Sequence, residues 1–450
     1  MSKQHLVAMV GAGPAGIYAT RKLTEAGHRV LLINRDIKPG GLAEYGIFLD
    51  KEKMKTGLRK QFQRILSDPK ISYLGHVTIG SGKSLTLKDL QDIGFSAIVV
   101  SAGAQGTKKL GLPGEDLTSV YHAKDVVYHY NKLPPFSQHH FEIGTKVAII
   151  GMGNVMVDVG NWLLNYKDTA EVTVVARRGP KEKAYDDSEF EVIEKYLDND
   201  DMRREIERIR PDLEAAGQNV DEIIQKFVKD TVPPPNQKLR FRYLCSPTRV
   251  VANGEGKVAA LEVELNKLVV ENGRTAPKGT GEHVQIPLDC VIYAIGDQVD
   301  ESLGLPFSRG AFVTNPAELP GDPNPAHYQP YDPATKEALE GIFVVGWSRN
   351  ASVGLVGIAK QDAERGMKVV NAYLAAKEGF EPQAIDQKIE AVLEKLEENS
   401  VAYVTKNDIA ALEAVEKSEA KKRNTWEHKY ASDEEMLEVI SAPKAVASQG

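Results

Sequence analysis

Cysteine is almost missing from this chain. Only Cys245 and Cys290 occur among 450 residues, in separate regions and with no C-x-x-C spacing. That excludes a close redox-active cysteine pair, and it excludes an iron–sulfur module, which needs about four thiolates. The ten histidines form no H-E-x-x-H pattern, so no metal site is expected; His139-His140 falls in a loop. No G-x-S-x-G nucleophile turn occurs. Apolar runs stop after five or six residues, far short of the roughly twenty needed to span a bilayer. Positive charge is not in excess either: 56 basic against 63 acidic residues give a net charge of −7, which leaves no electrostatic case for nucleic acid. The first apolar strand begins at Leu6, so no targeting segment is expected and a cytoplasmic location is.

Glycine, by contrast, is placed with purpose. Gly11-Ala12-Gly13-Pro14-Ala15-Gly16 follows the apolar run Leu6–Val10, and Gly151-Met152-Gly153-Asn154-Val155-Met156 follows Val147–Ile150. Each reads strand, tight turn, helix. The first glycine allows the sharp bend, and the second lets a pyrophosphate approach the positive end of the helix. After the first turn, a helix over Ile17–Ala26 closes at Gly27, and a second strand runs Arg29–Ile33. The second turn lacks a third glycine, but the strand Val172–Val175 follows it and ends in Ala176-Arg177-Arg178-Gly179-Pro180. The residue at that strand end meets the adenosine ribose. An acid there accepts a bond from a 2′-hydroxyl, whereas arginines clamp a 2′-phosphate. Arg177 and Arg178 therefore favour NADP(H). The same place in the first unit is Asn34-Arg35-Asp36. Asn34 can accept a bond through its amide oxygen, Asp36 is a substitute, and neither suits NADP(H). Two dinucleotides in one chain, one held and one exchanged, is the layout of a flavoprotein reduced by a nicotinamide nucleotide.

At 450 residues there is room for two or three domains. A strand over Ala97–Ser101 runs into the small residues Ala102-Gly103-Ala104, which let backbone approach a cofactor. Residues 105–145 read as a connection, broken at Pro113-Gly114 and Pro134-Pro135. Residues 186–230 are charged and helix-prone. Arg240–Tyr243, Lys257–Leu265 and His283–Ile286 read as a meander, with a further strand over Asp289–Ile295. Late in the chain Gly341–Trp347 is again strand into turn, and Gly354-Leu355-Val356-Gly357 opens a helix to about Ala376. Backbone N–H groups at that helix start can stabilise negative charge on a reduced flavin ring. The expected fold is α/β, with two Rossmann-like nucleotide-binding domains and a C-terminal helical extension. The expected division is 1–104 and 326–376 for a discontinuous FAD domain, 105–325 for the NADP(H) domain and 377–450 for the extension.

Taken together, these blocks resemble the adrenodoxin-reductase type of ferredoxin–NADP reductase, close to the glutamate-synthase small-subunit flavoproteins. The carrying motifs are Gly11-x-Gly13-x-x-Gly16; Gly40-Gly41-Leu42-Ala43 with Gly46 and Asp50; and Gly151-x-Gly153-Asn154-Val155 with Asp158. Arg177-Arg178-Gly179-Pro180 followed by Glu189, then Gly346-Trp347 with Gly354, complete the set, and the tail Asp433–Leu437 is similar to that family's terminus. The resemblance implies FAD on the first unit, along Gly41, Leu42 and Gly46, with Trp347 and Gly354 framing its ring. It implies NADP(H) on the second, with Glu189 near the nicotinamide side, and it implies catalytic roles for Asp158, Glu189, Trp347 and Gly354. Hydride would pass from NADPH to FAD and single electrons onward to a ferredoxin or a similar small carrier. Two other roles fit the same motifs: an electron-input subunit of a larger enzyme such as glutamate synthase, and a non-enzymatic sensor of NADP(H).

Four single positions and one run depart from the pattern: Asn34 for the ribose-binding acid, Glu44 for an arginine, Lys51 for a histidine, Met156 for alanine, and Arg349–Gly354 for a basic run ending Gly-Pro-Thr-Gly. The bulk of Met156 is expected to press on the pyrophosphate. For the acceptor, Lys238, Arg240, Arg242 and Arg249 offer four bases without an intervening acid from Lys238 to Val250. Three of them alternate along one strand face, which makes them the expected docking patch for an acidic ferredoxin.

Overall fold

The computed structural model describes residues 3–351 and 356–442. Two compact units divide the chain.

The first unit takes residues 1–107, 130–138 and 297–450. Its centre is a five-stranded parallel sheet in the order Ile342–Val344, Ala97–Val100, Leu6–Val10, Arg29–Ile33, Ile71–Leu74. The strands are short and almost wholly apolar because both faces are covered. Alternate side chains of Leu6–Val10 show this. Val7 and Met9 join one core cluster with Ile17, Phe343 and Val370. Ala8 and Val10 join another with Leu31, Val392 and Leu396. The helices Pro14–Glu25 and Val356–Ala375 pack together on the first face. The C-terminal helices Pro382–Glu398, Lys406–Lys422 and Asp433–Ser441 belong to the same unit.

The second unit takes residues 108–129 and 139–296. It repeats the plan with the parallel order Val120–His122, Cys290–Tyr293, Lys146–Ile150, Glu171–Val175, Lys238–Arg242. An antiparallel sheet of Cys245–Ala252, Val258–Glu271 and Arg274–Pro287 is attached.

Three sequence expectations change here. Lys238–Arg242 is not part of the meander but the edge of the parallel sheet, paired with Glu171–Val175. The meander's first strand is instead Cys245–Ala252, hidden in the sequence by Pro247 and by register shifts after Pro247 and Val251. Residues 105–145 are more than a connection, since they supply the edge strand Val120–His122 and the helix Ala123–Tyr130. The units also divide at other places than 104/105 and 325/326. Gly106-Thr107 pairs with Asp297-Gln298 in the first unit, which moves the return point forward.

Candidate functional site

Each parallel sheet has one point where strand order reverses, and ligands in such folds bind at the carboxyl ends there. In the first unit that point lies between Leu6–Val10 and Ala97–Val100, and in the second between Lys146–Ile150 and Cys290–Tyr293. The two glycine turns sit at these places. Gly11 has φ +106° and Gly151 φ +115°. A Cβ on Gly11 would lie 2.5 Å from the Ser101 carbonyl oxygen, and one on Gly151 would lie 2.4 Å from that of Ala294. Both positions therefore require glycine, for conformation and for space.

The second glycine of each turn is the opposite case. Around the position a Cβ would take on Gly13 or Gly153, no atom of the described residues beyond the glycine and its chain neighbours lies within 4 Å. Both are N-caps in extended conformation, and no side chain caps either helix. Two helix N-termini thus open on clear space that a side chain would obstruct. This is the arrangement a dinucleotide pyrophosphate requires, so both sites fit the groups expected in them.

Around the first turn, the residues singled out for FAD converge. A Cβ on Gly41 (φ +51°) would come within 2.9 Å of Gly13 Cα, and one on Gly346 within 2.5 Å of Ala15 Cβ. The Gly40 N–H donates to the Ala12 carbonyl at 2.7 Å. The Gly103 N–H donates to Ser348 Oγ at 3.1 Å, beside Trp347 in the short helical turn Gly346–Ser348. Asp362 holds that turn: its carboxylate accepts from the Gly346 N–H at 2.6 Å and pairs with Arg349. Ser101 Oγ donates to the Gly11 carbonyl at 2.8 Å. Leu42 and Gly46 close the four-residue helix Leu42–Tyr45, the Gly46 N–H donating to the Leu42 carbonyl at 2.8 Å. Val356 begins the helix that carries Asp362. Gly354 and Leu355 lie outside the described residues.

Asn34 is buried and committed to the turn itself. Its Oδ1 accepts from the Ala12 N–H at 3.0 Å, and its Nδ2 donates to the carbonyls of Asp36 and Lys38 at 2.8 and 3.1 Å. The neutral amide thus ties both glycine loops to the end of Arg29–Ile33. A carboxylate there could accept from Ala12 but could not donate to the two carbonyls.

Around the second turn, Asn154 and Asp186 bond reciprocally. Asn154 Nδ2 donates to Asp186 Oδ2, and the Asp186 N–H to Asn154 Oδ1, both at 2.8 Å. The Ala184 N–H donates to the Met152 carbonyl at 2.9 Å. These bonds bring the segment after Arg177-Arg178 back beside the turn. Val155 is exposed at the helix start, and Asp158 is half-buried on the same helix. Glu189 is half-buried on the neighbouring helix Asp187–Glu194. Met156 is fully buried, with 0% exposure. It points into the core and not toward the turn's open side, so the expected pressure on a pyrophosphate does not arise.

Arg177 and Arg178 are anchored by backbone only. The Arg177 carbonyl accepts from Asn266 Nδ2 at 3.1 Å and the Arg178 carbonyl from the Leu244 N–H at 3.4 Å. Neither guanidinium has an ion-pair partner among the described residues. The expected docking patch behaves differently. Arg240 pairs with Glu171 at 2.6 Å and Asp198 at 3.1 Å, Arg242 with Asp201 at 2.7 Å, Lys238 with Asp198 at 3.6 Å and Arg249 with Glu262 at 2.8 Å. Lys238, Arg240 and Arg242 do share one face, but acids from elsewhere in the chain neutralise it. It is not a free basic patch.

Cys245 and Cys290 are free and buried. Burial pushes their thiols up, to about 11 and about 12 respectively, so neither supplies a thiolate near neutrality. Among the described residues no cluster of three or more His, Cys, Asp or Glu could hold a metal ion, and no helix is long and apolar enough to cross a membrane.

A family model described as pyridine nucleotide-disulphide oxidoreductase matches residues 5–318. The NADPH-ferredoxin reductase FprA of Mycobacterium leprae (strain TN) is 27% identical, over 92% of this chain and 93% of that protein. The mitochondrial NADPH:adrenodoxin oxidoreductase of Arabidopsis thaliana is also 27% identical, over 96% of this chain and 94% of that protein. Among solved structures, Mycobacterium tuberculosis FprA in complex with NADPH superposes with a TM-score of 0.80 at 25% identity, covering 97% of this chain and 100% of that one.

Proposed function

The chain belongs to the pyridine nucleotide-disulphide oxidoreductase family, and from that premise we propose that it is an FAD-dependent NADPH:ferredoxin oxidoreductase of the adrenodoxin-reductase type. One contrast carries the reading. Two matching switch points end in different chemistry: a buried, hydrogen-bonded Asn34 in the first unit and, in the second, two arginines without ion pairs among the described residues. The first suits a dinucleotide that stays, and the second a 2′-phosphorylated one that exchanges.

Bound FAD would accept two electrons together and release them singly, which is the chemistry a nicotinamide-to-iron–sulfur transfer needs. We assign the holding of that cofactor to Gly11, Gly13, Ala15, Gly16, Gly41, Leu42, Gly46 and Gly103, with Gly346 and Trp347 along its ring. Gly354 and Val356 join them from the sequence motif. Asn34 acts by holding the turn rather than by grasping the ribose, and the nearby carboxylate Asp36 is paired with Arg35 at 2.8 Å. On the second unit we assign Gly151, Gly153, Asn154 and Val155 to the pyrophosphate, Arg177 and Arg178 to the 2′-phosphate, and Asp158 and Glu189 to the nicotinamide side. The partner class is a ferredoxin or a similar small electron carrier. Two free, buried cysteines agree with a reducing compartment, which supports a cytoplasmic location.

The test is NADPH oxidation by the purified protein against a panel of ferredoxins, flavodoxins and rubredoxins, with the released flavin identified after denaturation. Stoichiometric FAD and turnover with a ferredoxin are expected. FMN in place of FAD, or no turnover with any ferredoxin or other small electron carrier of the panel, would overturn the assignment.

A further inference from the structure

Glu44 is a carboxylate buried directly behind the Gly40–Gly46 turn, its side chain 4% exposed. Arg59 grips both its oxygens at 2.6 Å. Lys429 reaches it at 3.0 Å and Lys38 at 3.7 Å. The bases are shared with outer acids: Glu416 meets Lys38 at 2.6 Å, and Glu427 meets Arg59 and, at 3.4 Å, Lys429. Three cations thus face three carboxylates. Burial opposes ionisation of Glu44, yet Lys429, Lys38 and Arg59 hold its carboxyl well below the usual range. The group stays charged and fixed in place.

Lys429 does more than balance charge. Its ammonium donates to the backbone carbonyls of Glu44 at 2.9 Å and Asn131 at 3.3 Å. It also lies 4.6 Å from the centre of the Tyr45 ring. A residue 385 positions further along the chain therefore grips both the backbone and the side chain of the helix Leu42–Tyr45. That helix is tied to the cofactor turn, because the Glu44 N–H donates to the Gly41 carbonyl at 3.0 Å. Gly41 in turn approaches Gly13 so closely that a Cβ would not fit.

We propose that Lys429 and Glu44 are positioning residues for the flavin: the C-terminal segment clamps the Gly40–Gly46 turn against the first glycine turn. This gives the charged extension a role in cofactor retention, and it rests on the FAD reading above. Lys429→Met in the purified flavoprotein should release FAD at least tenfold faster than wild type, measured by flavin fluorescence after dilution. Lys429→Arg keeps the charge and N–H donors on a bulkier group, so it should release FAD more slowly than Lys429→Met. Lys421→Met, an exposed lysine of the same segment, should change nothing. Glu44→Gln combined with Lys429→Met should speed FAD release by less than the product of the two single effects, because the two share the Glu44–Lys429 contact. FAD release unchanged in Lys429→Met, with only the melting temperature lowered, would overturn the clamp and leave the FAD reading intact. A wild-type protein that holds no FAD would overturn both.

Discussion

Replacing Arg177 by alanine should convert nucleotide preference without harming the fold. The side chain is exposed and makes no ion pair among the described residues, and its backbone carbonyl, not its guanidinium, holds the turn. What the substitution removes is a charge-assisted bond to a 2′-phosphate, worth ~1.5–3 kcal/mol. At 1.36 kcal/mol per factor of ten, kcat/KM for NADPH should fall about 10- to 150-fold. NADH carries no 2′-phosphate and should be almost unaffected. Adding Arg178→Ala should lower NADPH further, though by less than a second full increment, because the two guanidiniums share one ligand group. Ferricyanide is the right acceptor, since it reports flavin reduction without protein docking. Arg240→Ala is the matched control. It breaks the contacts to Glu171 and Asp198, so it should lower the melting temperature while leaving the NADPH-to-NADH ratio alone. An equal loss with both nucleotides in Arg177→Ala would show that the arginine is structural and would refute the NADP(H) assignment.

The two glycines of the second turn should separate cleanly. Gly153→Ala should fold and lose NADPH affinity, because a Cβ there meets only open space, whereas Gly151→Ala should lose stability through its clash with the Ala294 carbonyl; melting temperature and NADPH titration read the two effects. His122 should make the protein acid-sensitive. Burial, then Lys124, push its pKa down from the usual 6.5 to about 4, and its Nδ1 accepts from the Lys124 N–H at 3.2 Å, which fixes the neutral ring. The unfolded chain binds the extra proton between these values, so His122's stability contribution is complete above pH 6.5. About 3 kcal/mol should be lost as pH falls toward 4. Denaturant titrations of His122→Asn should show a correspondingly flatter slope across that window, and an unchanged slope would refute the assignment. Finally, the double variant Cys245→Ser with Cys290→Ser should keep ferricyanide reduction, provided its flavin is bound. Loss of turnover in the flavin-loaded protein would mean that a thiol carries electrons.

How much of this could be read from the chain divides along a physical line. Gly11, Gly13, Gly151 and Gly153 act on their own neighbourhood, and the strand, turn and helix around each lie within some twenty residues. Arg177 and Arg178 were legible for the same reason, as a strand end at fixed distance from its turn. What the local sequence does not carry depends on distant partners. Lys238, Arg240 and Arg242 form a basic run only until Glu171, Asp198 and Asp201 are folded against it. Glu44 looked like a reversed charge because its partners include Arg59 and Lys429. The size of Met156 suggests crowding, whereas its complete burial decides its effect. Asp362, which holds the Gly346 N–H, has no local signal at all.

The central claim, that one chain takes hydride from NADPH into a held FAD and passes electrons singly to an iron–sulfur protein, has a direct test. Oxygen-free titration of the purified flavoprotein with NADPH, followed by oxidised ferredoxin, resolves both halves in one cuvette. One equivalent of NADPH should bleach the flavin, and two equivalents of ferredoxin should be needed to restore its colour. A flavin that stays oxidised with NADPH, or that is reoxidised by a disulfide acceptor and not by ferredoxin, would contradict the account.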